Sequence, residues 1–483
     1  MKKMDCAIGW AEMDITPEAT VDLWGQYYHR KSQGIHSRLS ATAMALEGSN
    51  GERVVMVSVD SAGFQPDFQE EVRTVLRSGV PELDGASVFL NATHTHNAPG
   101  VDLIRGIGWL TELPDVMPQR TYRKFLVDRI ATAVVEAWNN RRAAGIANAL
   151  GHARVGHCRR AMYANGSAEM YGRTDREDFL GMEGGEDSGV DLLFTFEPGG
   201  NPTGAILNLA CPSQVMEATY RVSSDFMGET RRRLKERYGQ GFRMLGQVSA
   251  AGCQSPRDLA RGYRGEVDFW HEDGVTEIGR RLLAAVEETF PRAAARIEYH
   301  PEVKHAVKKI LLPRRRASRE DLAASEKILR EIGSKMSEEE AYRGFCDEVS
   351  RNEKTAGRPG PYDSKLHPFV IVQNNKAVVE RYRNQDERPL FEIESHFLRL
   401  GNVAIATNPF ELYLDFGHQI KARSTAEQTF VVQLCCGEGG YLPTARAELL
   451  GGYGGLIING EVSSAGGKQL VDVSVREVSA LWK

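Results

Sequence analysis

The sequence predicts an α/β (α+β) fold, mixed β-sheets flanked by helices, on three observations. Arg53-Val-Val-Met-Val-Ser-Val-Asp60 and Val88-Phe89-Leu90 are short apolar runs, the first rich in β-branched residues, of the kind that form buried strands. Between them Phe68, Val72, Val75 and Leu76 recur at helical spacing, behind Pro66-Asp67 and ahead of Gly79. The strand signal then returns past Leu398, in Val403-Ala-Ile-Ala406 and Val431-Val-Gln-Leu434. The strand, helix, strand order puts Asp60 and His94 near strand ends, where α/β folds collect their sites.

Further elements follow along the chain. Residues 119 to 140 carry Tyr122, Phe125, Leu126, Ile130, Val134 and Trp138 on one helical face. Ala205-Ile-Leu-Asn-Leu-Ala210 reads as a strand, and a helix from the low 270s to Phe290 turns Val275, Ile278, Leu282 and Val286 inward. From Ser318 to about Arg351 the chain is charged and helical, with Ser318 and Asp321 spaced as an N-terminal cap. Gly357-Arg-Pro-Gly-Pro-Tyr362 ends that stretch, and 318–362 is expected to be a peripheral excursion or lid, too polar to build a core. The expectation is thus one large catalytic domain over 1–483. No repeat of solenoid period is visible, only a loose echo between the two halves, each having apolar strands that end in polar, turn-rich segments.

With 41% hydrophobic and 26% charged residues, the 483-residue chain has the composition of an ordinary globular protein. A formal charge of -5 gives no electrostatic footprint for nucleic acid or an anionic membrane. The runs Arg231-Arg232-Arg233 and Arg314-Arg315-Arg316 are expected to be solvated faces. No stretch approaches the roughly 20 apolar residues that span a bilayer, and no signal peptide is evident behind Met1-Lys2-Lys3. Cys6, Cys158, Cys211, Cys253, Cys346, Cys435 and Cys436 lack a disulfide-framework spacing, so a reducing, cytoplasmic compartment is expected.

Several polar groups stand where chemistry needs them. In Asn91-Ala-Thr-His-Thr-His-Asn-Ala-Pro-Gly100, an extended backbone would aim His94 and His96 at one face, to hold a metal or divide ligand and acid/base roles. The competing account is one core histidine and one in solvent. Ser255, in Gly252-Cys253-Gln254-Ser255-Pro256-Arg257, is either a rigidly presented nucleophile or a plain turn serine, and it lacks the Gly-x-Ser-x-Gly elbow. Cys211 follows a strand as a thiolate or a buried apolar residue. Arg159 and Arg160 are anion clamps or surface charges. Glu411 can offer a hard oxygen, and the glycines around Tyr441 and Tyr453 allow a ligand close approach.

Asp14-Ile-Thr-Pro17, Gly34-Ile-His-Ser-Arg-Leu39, Val57-Ser-Val-Asp60 and Thr93-His-Thr-His-Asn-Ala-Pro-Gly100 together resemble the neutral (alkaline, non-lysosomal) ceramidases, zinc-dependent amidases that cleave an N-acyl bond. The resemblance covers most of the chain, without the appended immunoglobulin-like domain of many relatives. It implies that His94 is a zinc ligand and His96 faces the substrate. It implies further ligands in Glu411 and Tyr441, a substrate-binding Tyr453, a nucleophilic Ser255, and a substrate-facing Arg159 with Arg160 the close competitor. Two positions depart from the family pattern. Cys211, in Cys-Pro-Ser, replaces the second zinc histidine, and Cys253 replaces the aspartate two residues before the nucleophile. A thiolate is a competent zinc ligand, so Cys211 is expected to complete the set; otherwise the metal is weak or lost.

The expected function is therefore a zinc hydrolase cleaving an amide in a small polar, carbohydrate-derived molecule rather than ceramide. Two rivals stand beside it: a glycosidase or lyase using Glu411 and Tyr441 as acid/base groups, and a ligand-binding relative without turnover.

Overall fold

The computed structural model describes residues 6–101, 113–261, 267–356 and 367–483. Within them one order of elements recurs three times: three antiparallel strands, a crossover helix, a fourth strand parallel to the third, a loop, and a second helix. The first unit has strands Ala7–Asp14, Ser40–Glu47 and Arg53–Val59, helix Pro66–Gly79, strand Val88–Ala92 and helix Gln119–Asn139. The second has Gly145–His152, Gly189–Phe196 and Pro202–Leu209, helix Asp225–Tyr238, strand Arg243–Val248 and helix Glu272–Ala294. The third has Val303–Pro313, Leu390–Leu400 and Val403–Thr407, helix Leu414–Arg423, strand Gln428–Val432 and helix Ser464–Ala480. The loose echo is thus a threefold recurrence, which escapes a scan for fixed periods because long segments separate the strands.

In each unit the two helices pack together outside the sheet. The inner sheet faces meet at the centre, where Met44, Met56, Phe89, Leu193, Ile206, Leu245, Ile405 and Phe430 form a shared core. Both faces of these strands are buried, which is why they read as continuous apolar runs. The fourth strands end side by side. Ala92 donates its N–H to Leu434 O (3.1 Å), and Gln433 donates its N–H to Val248 O (3.0 Å). The loops after them carry His94, Ser255 and Tyr441, one from each unit, and so meet at one end of the sheets.

Several expectations change. Arg231 is not on a solvated face: it is buried and pairs with Asp60 at 3.1 Å, tying two units together. In the other basic run, Arg315 donates to Gly455 O at 2.7 Å, and Arg314 pairs with Glu461. Phe125 lies exposed while its expected face-mates are buried.

The charged excursion does build a core. Helices Arg319–Gly333, Glu338–Ala356 and Pro368–Asn384 enclose Ala341, Phe345, Val349, Phe369 and Val370 against Tyr28. It starts, as expected, at a capping box between Ser318 and Asp321. Residues 357–362, expected to end it, lie outside the described residues, and a further helix spans Pro368–Asn384.

Candidate active site

The strand Val88–Ala92 stops before the histidines, and His94 takes φ 63, so its backbone is left-handed rather than extended. The two rings nevertheless meet edge to face, centroids 4.9 Å apart. The turn, not strand alternation, brings them together. His94 Nδ1 lies 2.5 Å from Ala62 O, which fixes the proton on that nitrogen and leaves Nε2 buried with no hydrogen bond, 3.4 Å from Glu411 Oε2. A backbone carbonyl holding the far nitrogen is the usual support of a metal-ligating imidazole. Burial disfavours a charge on His94, but the Glu411 carboxylate outweighs it and raises the pKa.

Glu411 and Tyr441 come together by register. Glu411–Leu412 and Tyr441–Leu442 pair in parallel with Glu411 opposite Tyr441. Gly252 seats the serine loop against them, since a Cβ there would collide with Glu411 O. Arg159, buried, donates to Tyr441 Oη (3.1 Å), Gly252 O (3.0 Å) and Gln214 Oε1 (3.2 Å), and lies 3.7 Å from Glu411 Oε2. Arg160 turns the other way, to Glu183 at 2.6 Å and the carbonyls of Gly451 and Tyr453. Of the two arginines, Arg159 faces the cluster. Tyr453 packs edge-on to Tyr441 (5.5 Å) and to the exposed Tyr27 (5.8 Å), an aromatic line from the cluster to the surface.

Cys211 does not complete a compact donor set here: among the described residues, His94, Glu411 and Cys211 do not have ligand atoms all within 4.8 Å of one another. Its buried Sγ sits 3.7 Å from Val155 O and 3.6 Å from Pro212 O, and burial holds its pKa well above the ordinary value. It lies in the same buried cluster as Val215 and Phe226. His94 Nε2, Glu411 and Tyr441 do fit a zinc ion, being nitrogen and oxygen donors at one buried point. A zinc ion held by only three protein ligands would keep a position open, as catalytic rather than structural sites do.

Ser255 lies in a short strand, Gln254–Ser255, paired with His157–Cys158, and not in a free turn. Its buried Oγ accepts from Arg257 N (3.2 Å) and shares a hydrogen bond with Tyr171 Oη (3.1 Å). Tyr171 Oη donates to Glu217 Oε1 (3.3 Å), which Arg257 also grips at 2.7 Å. Glu217 Oε2 is 3.5 Å from His96 Nδ1, while Gln214 Nε2 donates to His96 Nε2 at 2.7 Å. Burial first, then the neighbouring His94 and Arg30, hold the His96 pKa far below normal. His96 is therefore neutral, with Nε2 an acceptor. Cys253 offers no charge to Ser255, since burial raises its thiol to about 12.

Tyr171, Gln214, Glu217 and Arg257 escaped the sequence reading. Arg257 and Gln214 stood beside quoted motifs, but nothing local marks Tyr171 or Glu217; only the left-handed backbone of Tyr171, φ 54, sets it apart.

Comparison with known proteins bears on this arrangement. Residues 6–237 match the family described as neutral/alkaline non-lysosomal ceramidase, N-terminal. Neutral ceramidase from Drosophila pseudoobscura pseudoobscura is 32% identical over 125 residues, covering 24% of this chain and 18% of that protein. Neutral ceramidase from Pseudomonas aeruginosa is 26% identical over 287 residues, covering 58% of this chain and 41% of that protein. The matched segments thus span less than half of these relatives' length. The crystal structure of the Pseudomonas aeruginosa neutral ceramidase superposes with TM-score 0.70 at 19% identity, covering 99% of this chain and 75% of that one, so the fold is shared. Residues 6–237 are thus similar to the N-terminal part of the neutral ceramidases, and the chain as a whole shares their fold.

Proposed function

We propose that this protein is an amide hydrolase that uses Ser255, Arg159 and a metal held by His94, Glu411 and Tyr441. The observation that carries the reading is the buried meeting of His94 Nε2 from the first unit, Glu411 and Tyr441 from the third and Arg159 from the second, with the loop of Ser255, also on the second, held to Arg159 through Gly252 O. Zinc bound there would supply Lewis-acid polarisation and a water acidic enough to serve near neutral pH. Cys211 is left out of the ligand set because, among the described residues, it forms no compact donor group with His94 and Glu411.

Ser255 Oγ attacks, or positions water on, the amide carbonyl. Arg159 stabilises the oxyanion as charge develops, and Tyr453 borders the bound substrate. Neutral His96 accepts a substrate hydrogen bond or passes a proton at Nε2 once Gln214 yields it. Tyr171 holds the serine hydroxyl and connects it to Glu217, a carboxylate reaching Ser255 through one phenol where the family's adjacent aspartate is Cys253.

The substrate we assign is a small polar amide, carbohydrate-derived, rather than ceramide. The side chains that hydrogen-bond around Ser255 and Arg159 are polar, and the tyrosine edges leading outward suit the faces of a sugar ring. The three units act as one catalytic domain, each supplying a loop to the site. Seven free cysteines fit a reducing, cytoplasmic compartment, and among the described residues no helix is long and apolar enough to cross a membrane.

The test is hydrolysis of N-acetylated amino sugars beside a fluorescent ceramide, with metal analysis of the same preparation. Chelator-sensitive release of acetate, abolished in Ser255→Ala and Glu411→Gln, is expected. Turnover of ceramide alone would overturn the substrate assignment, and absence of metal would overturn the zinc mechanism.

A further inference from the structure

We propose that Glu394, His396 and Cys436 form a second metal site, for a thiophilic divalent cation such as zinc, which clamps the loop bearing Tyr441 to the strand leading to His94. Among the described residues, this is the one group of three or more His, Cys, Asp or Glu side chains whose ligand atoms all lie within 4.8 Å of one another. None of the three belongs to the catalytic cluster.

The donors are oxygen, nitrogen and sulfur, a mixed set suited to zinc and not to magnesium or calcium. Glu394 and His396 are two apart on the strand Leu390–Leu400 and so share a face, with His396 Nε2 2.9 Å from Glu394 Oε1. Cys436 arrives from the loop after Gln428–Val432, where φ 63 aims its side chain inward. A left-handed backbone at a non-glycine residue is strained and persists where its surroundings impose it, often at functional sites. Cys435 Sγ stands 3.6 Å from Cys436 Sγ, near enough to offer a fourth donor.

The supporting shell is already built. Arg73 Nη2 (2.7 Å) and Gln69 Nε2 (3.1 Å) both donate to Glu394 Oε1, and Arg73 Nη1 reaches Oε2 (3.2 Å). His305 Nε2 lies 2.9 Å from His396 Nδ1, and the Phe89 ring packs on His396 with centroids 4.4 Å apart. Metal-binding carboxylates and imidazoles are ordinarily held by such partners. On binding, the Cys436 thiol loses its proton to solvent. His396 gives up its Nε2 proton while His305 passes its Nε2 proton to His396 Nδ1 and takes one up on its own Nδ1, so both rings stay neutral and His396 Nε2 is free for the metal.

The position gives the site a purpose. Cys436 N–H donates to Leu90 O at 3.1 Å, and Asn91 bridges Cys435, so the cluster fastens the third unit's loop to the first unit's strand. That loop reaches Tyr441 five residues later, and the strand reaches His94 four residues after Leu90. Structural zinc contributes its binding energy to folding directly.

The experiment is cobalt loading of the full-length, chelator-stripped protein. A thiolate-to-cobalt charge-transfer band in the near ultraviolet is expected, lost in Cys436→Ser and retained in both Cys211→Ser and His94→Ala. No band in the parent, or a band lost in Cys211→Ser and kept in Cys436→Ser, would overturn the proposal. Should Cys436→Ser fail to fold, Glu394→Gln decides, with cobalt affinity expected to fall at least tenfold and unchanged affinity refuting the site. Failure of the catalytic-zinc reading shows separately, as total zinc that His94→Ala leaves unaltered.

Discussion

Glycine at position 25 has φ 105, and a Cβ there would collide with the His96 ring. Gly25→Ala therefore strains the backbone and pushes on His96 together. A loss of about 1–3 kcal/mol in stability and of most activity is expected, read by urea unfolding and turnover on the same sample. Tyr171→Phe removes one hydroxyl from the link between Ser255 and Glu217 without altering ring volume. Its kcat should drop by about 10²-fold with KM little changed; a change in KM alone would make Tyr171 a binding residue. At this scale the sequence was legible where residue types carried a motif: the His94/His96 pair, Glu411, Tyr441 and Ser255 all lie in the cluster region. At Cys211, expected as a ligand, it was less informative, because position after a strand does not say whether a thiol faces a cavity or the core. Tyr171 and Glu217 stayed hidden because their link to Ser255 spans 84 and 38 residues and follows no local spacing.

Elements were legible where one face is apolar. Helix Glu272–Ala294 buries Val275, Ile278, Leu282 and Val286 as its periodicity demands; the apolar runs at 53, 88 and 403 are strands, and the run expected at 431–434 overlaps the end of the strand Gln428–Val432. Two-residue strands carry no periodicity, so the pairing that sets Glu411 beside Tyr441 could not be read. The helical excursion was judged by its charge, yet a few large side chains, Phe345 and Phe369 foremost, suffice for a satellite core. Tyr28 belongs to that core, while its neighbour Tyr27 touches Tyr453, so the excursion borders the mouth of the site. Its first helix depends on the Ser318 cap. Ser318→Ala should cost that helix about 1 kcal/mol, raising amide exchange in 319–333 while leaving the helix Gln119–Asn139 unchanged. Equal exchange in both would mean that the excursion unfolds only with the whole protein.

Across the whole molecule, three units with separate outer cores share one centre, so their relative placement rests on that centre and on contacts between units. The recurrence was illegible because its copies differ in sequence and in what separates their strands. One contact between units titrates. Asp187, in the loop before strand Gly189–Phe196, meets Lys421 at 3.1 Å and His418 at 3.6 Å on the third unit's helix Leu414–Arg423, and Lys421 also binds Asp191 at 2.8 Å. Burial opposes the charge on Asp187, but the hydrogen bond from His418 and the Lys421 ammonium outweigh it and hold the carboxyl far below its usual range. A carboxylate whose pKa falls on folding binds fewer protons folded than unfolded. Its contribution is fully present above the unfolded value of about 4 and is lost as pH falls towards the folded value. Asp187→Asn should therefore lower the urea midpoint at pH 7, by about 1–3 kcal/mol in stability, with the gap from the parent closing progressively below about pH 4. A gap that stays constant from pH 7 to pH 2 would show that Asp187 acts through shape and hydrogen bonding, and that the second and third units are not held together by this charge.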